Sequence, residues 1–122
     1  MTTALVIDDN QETADSLSQM LGFLGVEAQT AYGPRAAMLA LKDFVPSIIF
    51  MDINMPGVNG FEVMSYLRRF PNLASVPVVY VTSDDQPETA TKARKTGGLF
   101  VIIKPITLEA IENTLHKAGL QG

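Results

Sequence analysis

The chain has 122 residues, of which 47% are hydrophobic and 18% charged, with a formal net charge of −4 and no cysteine. These values are typical of one globular domain, exclude disulfides and thiolate chemistry, and argue against direct binding of nucleic acid by this domain. No apolar run is long enough to span a membrane and no signal peptide is recognisable, so we expect a cytoplasmic protein without a membrane partner.

Short apolar runs alternate along the chain with longer stretches of helical spacing. The predicted strands cover residues 4–7, 26–32, 48–51, 77–81 and 99–103. The first predicted helix ends near Gly25, the second runs from Pro34 to about Phe44, the third spans residues 61–67, the fourth runs from Pro87 to Gly97, and the fifth follows a cap at Thr107. The alternation of polar and apolar residues in the second strand is typical of an edge strand. The whole pattern predicts an α/β fold with a parallel sheet between two layers of helices.

Polar residues follow four of the five predicted strands, and parallel sheets bind ligands at that edge. Asp8 and Asp9 follow the first strand, Asp52 the third, Thr82 the fourth and Lys104 the fifth. Three converging carboxylates repel one another unless a cation joins them, which predicts a site for a hard cation such as Mg²⁺.

The other two polar groups indicate the chemistry of such a site. Lys104 supplies a positive charge and Thr82 a hydroxyl donor, and both suit the oxygens of a phosphoryl group. Phosphoryl transfer depends mainly on positioning and on neutralising the charge of those oxygens, and an aspartate carboxylate can act as the nucleophile.

The order of these residues is similar to the signature of the receiver domain of two-component response regulators, over essentially the whole chain. The residues that carry the resemblance are Asp8-Asp9, the run Asp52-Ile53-Asn54-Met55-Pro56-Gly57 with Gly60, Thr82-Ser83 and Lys104-Pro105. The resemblance implies a single receiver domain over residues 1–122, with a doubly wound five-stranded sheet in the order 2-1-3-4-5.

The resemblance also implies the roles of the acidic residues. Asp52 would accept a phosphoryl group from a sensor histidine kinase or a phosphotransfer protein in a Mg²⁺-dependent reaction. Asp9 and Asp52 would ligate the metal, Asp8 would act through water, and the backbone carbonyl of Asn54 would be a further ligand.

On the same resemblance, Thr82 and Lys104 would contact the phosphoryl group, and the peptide bond before Pro105 would be cis. The domain would catalyse its own phosphorylation and dephosphorylation without being a turnover enzyme. It would change shape to regulate a downstream partner or output domain that the sequence does not identify, and a homodimer formed on phosphorylation is one such output. Residues 118–122 alone follow the last predicted helix, so we expect no output domain in this sequence, which is either a stand-alone receiver or a part of a longer chain.

One position departs from the family pattern. Many receivers carry Tyr or Phe three residues before the lysine, where this chain has Val101. Phe100 cannot simply replace that ring, because neighbouring strand residues point to opposite faces. We therefore expect activation to be read mainly from the loop of residues 82–86 and from the start of the fourth helix.

Several alternatives remain open. Asp9 could cap the first helix, with Glu12 completing a capping box. The basic residues Lys92, Arg94 and Lys95 form either a solvated face or a docking patch. A structural adaptor that responds to binding rather than to phosphorylation would keep the same residues.

Two other classes of protein fit less well. A phosphohydrolase of the haloacid-dehalogenase type needs a second aspartate as general acid where this chain has Asn54, and an amide cannot protonate a leaving group. A flavodoxin-like nucleotide-binding module needs a phosphate cradle in its first loop, from which Asp8 and Asp9 would repel phosphate.

Overall fold

The computed structural model describes residues 1–120, so Gln121 and Gly122, the last two residues of the predicted domain, lie outside the described part. The strands are β1 (Thr3–Ile7), β2 (Glu27–Ala31), β3 (Ile48–Asp52), β4 (Val78–Thr82) and β5 (Phe100–Ile103). The helices are α1 (Gln11–Phe23), α2 (Pro34–Ala40), α3 (Gly60–Leu67), α4 (Pro87–Lys95) and α5 (Leu108–Lys117). The strands are parallel in the order β2-β1-β3-β4-β5, which confirms the predicted fold class.

Each face of the sheet carries its own apolar core, because successive strand residues point to opposite sides. On one face α1 and α5 pack against residues such as Val6 and Phe50. On the other face α2, α3 and α4 pack against residues such as Met51 and Tyr80. All residues of β3 and β4 are buried. Among residues 1–120 no helix is both long and apolar enough to cross a membrane.

Two predicted elements end earlier than expected. Helix α2 ends at Ala40 rather than near Phe44, and residues 41–43 form a turn. Strand β2 lies at the edge of the sheet as predicted, but its alternation stops at Ala31, which is buried, and Tyr32 is exposed beyond the strand.

Candidate functional site

The carboxyl ends of β1 and β3 bring three acidic side chains together. One carboxylate oxygen from each of Asp8, Asp9 and Asp52 lies within 4.8 Å of the other two. Asp8 and Asp52 are buried, whereas Asp9 is exposed. A cluster of oxygen donors open to solvent on one side suits Mg²⁺, which prefers oxygen ligands and retains several waters. The donor set therefore fits the metal that the sequence predicts.

The alternative role of Asp9 as a helix cap is wrong. Asn10 is the N-cap of α1, and its side chain accepts a hydrogen bond of 3.0 Å from the backbone N–H of Thr13. The backbone N–H of Asn10 also donates to Oδ1 of Asp8 over 2.9 Å, which fixes that carboxylate at the end of β1. Asn10 thus performs the capping, and the Asp9 carboxylate lies with Asp8 and Asp52 instead.

Lys104 brings a positive charge to this cluster from the end of β5. Its Nζ lies 3.5 Å from Oδ2 of Asp8 and 3.8 Å from Oδ1 of Asp52. The side chain is partly exposed, so the ammonium group can also reach an oxygen that enters from solvent. The peptide bond between Lys104 and Pro105 is cis, as the resemblance implies.

The surroundings of Asp52 raise its pKa from 3.8 to about 6. Burial is the largest cause, and the negative charge of Asp8 is the next. Lys104 and the backbone N–H of Asn54 oppose this rise, and the N–H lies 3.3 Å from Oδ1 of Asp52. Without a bound cation the protein therefore holds a proton on Asp52 more tightly than an exposed aspartate does, and a cation would favour the ionised, nucleophilic form.

Thr82 is fully buried at the end of β4, where its hydroxyl group joins two other parts of the site. Its Oγ1 accepts hydrogen bonds from the side-chain amide of Asn54, over 3.2 Å, and from the backbone N–H of Asp84, over 3.1 Å. Because Oγ1 is the acceptor in both, its own hydrogen can be donated to another oxygen. The family resemblance implies only a backbone role for Asn54, so this side-chain contact was not predicted; the sole signal for it in the sequence is a polar residue two positions after Asp52.

The loop after β4 is connected to Thr82 at one end and to α4 at the other. Asp84, whose N–H donates to Thr82, accepts hydrogen bonds from the backbone N–H of Gln86 over 2.9 Å and from Oγ1 of Thr89 over 2.6 Å. The bonds from Thr89 and then Gln86 lower the pKa of Asp84. A displacement of Thr82 would therefore be passed to the start of α4.

Helix α3 begins in close contact with the strand end that carries Asp52. The backbone N–H of Gly60 donates to the carbonyl oxygen of Ile53 over 2.8 Å. A Cβ atom at Gly60 would lie only 2.5 Å from the carbonyl oxygen of Asp52. This approach requires glycine, and it joins α3 to the backbone of Asp52.

Residues 4–116 match the family model of the response regulator receiver domain. The chain belongs to this family. The receiver chain is 27% identical to protein PilH of Pseudomonas aeruginosa over 116 residues, which are 95% of this chain and 96% of PilH. It is 29% identical to protein RcaC of Microchaete diplosiphon over 102 residues, which are 84% of this chain but 16% of RcaC.

The fold of this receiver is also that of a solved chemotaxis protein. CheY4 of Vibrio cholerae superposes on it with a TM-score of 0.90 at 26% identity, over 97% of this chain and 98% of that chain. Three curated relatives, RcaC among them, are much longer proteins, and the receiver chain spans only 16% to 26% of their length.

Proposed function

We propose that this receiver domain accepts a phosphoryl group on Asp52 from a sensor histidine kinase or a phosphotransfer protein in the cytoplasm, with Mg²⁺ as the cofactor. The change of shape that follows would regulate a partner or output domain. The observation that carries this proposal is the convergence of two further carboxylates and an ammonium group on Asp52, with the Thr82 hydroxyl bonded to the side chain of Asn54 two residues further on.

In the proposed reaction a carboxylate oxygen of Asp52 attacks the phosphorus of the donor. The bond from phosphorus to the donor's nitrogen or oxygen breaks, and its electron pair leaves with the donor. The product is an acyl phosphate, and its later hydrolysis by water restores the carboxylate. That hydrolysis releases inorganic phosphate, so the domain would take part in its own phosphorylation and dephosphorylation and would act as a signalling acceptor rather than a turnover enzyme.

The other residues would hold the phosphoryl oxygens and the metal. Asp9, Asp52 and the backbone carbonyl of Asn54 would ligate Mg²⁺, and Asp8 would act through a metal-bound water. When bound, the metal would neutralise negative charge on the phosphoryl oxygens. Lys104 would hold a second oxygen, because its Nζ already lies within 4 Å of both Asp8 and Asp52.

Thr82 would hold a third oxygen with the hydrogen of its hydroxyl group. Movement of this hydroxyl toward Asp52 would alter its contacts with Asn54 and with the N–H of Asp84. Since Asp84 is bonded to Gln86 and Thr89, the loop of residues 82–86 and the start of α4 would move with it.

Treatment of the purified domain with Mg²⁺ and acetyl phosphate tests the proposed modification. We expect intact-mass spectrometry to detect one added phosphoryl group per chain. The group should be absent when Mg²⁺ is omitted and absent from the variant Asp52→Asn. Asp85→Asn is the matched control, because Asp85 is an exposed carboxylate in the loop after β4, and it should be labelled like the wild type. A folded wild-type domain that binds Mg²⁺ but is never labelled would favour the adaptor instead.

Replacement of Lys104 by alanine should separate modification from response. We expect labelling of Asp52 to persist, because its oxygen and the metal ligands remain, whereas the amide shifts that beryllofluoride induces in residues 82–89 should shrink severalfold. The reason is the loss of the ammonium group that would hold a phosphoryl oxygen and so connect the modified Asp52 to the end of β5. Shifts of wild-type size in Lys104→Ala would contradict this role.

A further inference from the structure

Helix α4 is held to the domain by few side chains. Of its nine residues, Ala93 is the one that is buried, so hydrophobic burial contributes less to its position than it does for α1 or α3. A small number of specific contacts must therefore decide where α4 lies on the sheet.

Two aromatic rings lie beneath this helix. Tyr80 of β4 is fully buried, and its ring centroid is 5.0 Å from that of Phe61 at an interplanar angle of 57°. Tyr80 is the register partner of Val101 on β5, so its ring lies beside the position where many receivers carry an aromatic residue. The chain after α4 packs directly on this ring, because a Cβ atom at Gly98 would lie 2.6 Å from the Cε2 atom of Tyr80.

Each ring also makes one contact with a polar side chain of α4 or of its C-cap residue. Nζ of Lys92 lies 4.8 Å from the centroid of the Phe61 ring. The hydroxyl oxygen of Tyr80 lies 2.8 Å from Oγ1 of Thr96, which caps α4. Oγ1 of Thr96 donates to the carbonyl oxygen of Ala93, so the Tyr80 hydroxyl is the donor in the bond between them.

The same two rings are connected to the proposed phosphorylation site. Phe61 follows Gly60, whose backbone lies against the carbonyl group of Asp52. Tyr80 precedes Thr82 by two residues on β4, so both side chains project from the same face of the sheet. The aromatic pair therefore lies between Asp52 and Thr82, which phosphorylation would affect first, and helix α4, which we expect to move.

We propose that Phe61 and Tyr80 couple the state of Asp52 to the position of α4, and that they take the role of the aromatic residue that many receivers carry at the position of Val101. Lys92 and Thr96 are their attachment points on the helix. The inference rests on the proposed function, since it names the elements by which that site is read. An exposed cation–π contact and one hydrogen bond each change an equilibrium only by about 2- to 10-fold. Small movements of Gly60 or Thr82 can therefore shift the equilibrium between alternative positions of α4.

Removal of each attachment point should loosen α4 in the unmodified protein. We expect Tyr80→Phe to speed amide hydrogen exchange of residues 87–97 about 5-fold, and Lys92→Gln to speed it about 2- to 5-fold, with no change in β1 or β3. Lys95→Gln is the control, because Lys95 is an exposed lysine of the same helix that makes no ring contact within residues 1–120, and its exchange should match the wild type.

Beryllofluoride with Mg²⁺ then tests the coupling itself. In the wild type and in Lys95→Gln we expect amide shifts in residues 82–86 that continue to the end of α4, whereas in Tyr80→Phe they should stop within the loop. Wild-type exchange and wild-type shifts in both Tyr80→Phe and Lys92→Gln would overturn the inference. A wild-type domain that shows no beryllofluoride response at all would instead overturn the proposed function, and the coupling with it.

Discussion

Replacement of Gly60 by alanine should lower the free energy of unfolding by about 2–3 kcal/mol. The added Cβ would lie 2.5 Å from the carbonyl oxygen of Asp52 and 3.0 Å from Cα of Ile53. Both are backbone atoms at the end of a buried strand, so relief of the overlap must move α3 or the sheet. We expect urea denaturation to measure the loss, and we expect slower labelling of Asp52 by acetyl phosphate, because the nucleophile moves with its strand.

Gly22→Ala is the matched control for this variant. Gly22 lies inside α1, and a Cβ there would meet no atom within 4 Å. Alanine is the better helix former, so this substitution should leave the free energy of unfolding unchanged or raise it by up to about 1 kcal/mol. Equal losses of stability in the two variants would mean that the close approach of Gly60 to Asp52 has no energetic consequence.

Replacement of Asp52 by asparagine should stabilise the metal-free domain at neutral pH. The folded-state pKa of Asp52 is raised to about 6 from 3.8, so the folded protein binds this proton more tightly than the unfolded chain does. The stability that Asp52 contributes is therefore fully present below about pH 4 and is lost as the pH rises to about 6. The difference between the variant and the wild type should grow over this window, to on the order of 2–3 kcal/mol.

Magnesium should reduce this difference, because a bound cation offsets the repulsion between Asp8, Asp9 and Asp52. At pH 7.5 we expect millimolar Mg²⁺ to raise the melting temperature of the wild type by several degrees and that of Asp52→Asn by less. Unfolding curves of both proteins at pH 4, 5, 6 and 7.5, with and without Mg²⁺, measure the effect. A difference that is constant across this pH range would contradict the raised pKa of Asp52.

The sheet and the position of the acidic site were predictable because they depend on patterns that are local in the sequence. Each buried strand is a short apolar run, and the parallel arrangement puts the ends of all strands on one edge. Asp8, Asp52, Thr82 and Lys104 directly follow such runs or end them, so their convergence follows from the topology alone.

The remaining features depend on contacts between distant parts of the chain or on choices between neighbouring residues. Asn10 caps α1 in place of Asp9, and both residue types are suitable caps, so the correct one follows only from where the chain turns after β1. Phe61 and Tyr80 belong to different elements, and nothing local in the sequence indicates that their rings meet. The side-chain contact of Asn54 with Thr82 likewise forms only when the ends of β3 and β4 are adjacent.

The proposed role of Asp52 is tested most directly by locating the phosphoryl group within the chain. After treatment with acetyl phosphate and Mg²⁺, borohydride reduction converts an aspartyl phosphate to homoserine, and peptide mass spectrometry then identifies the residue. We expect homoserine at position 52 alone. Conversion of Asp8 or Asp9 instead, or phosphate on a hydroxyl group such as that of Thr82, would contradict the assignment of Asp52 as the phosphoryl acceptor.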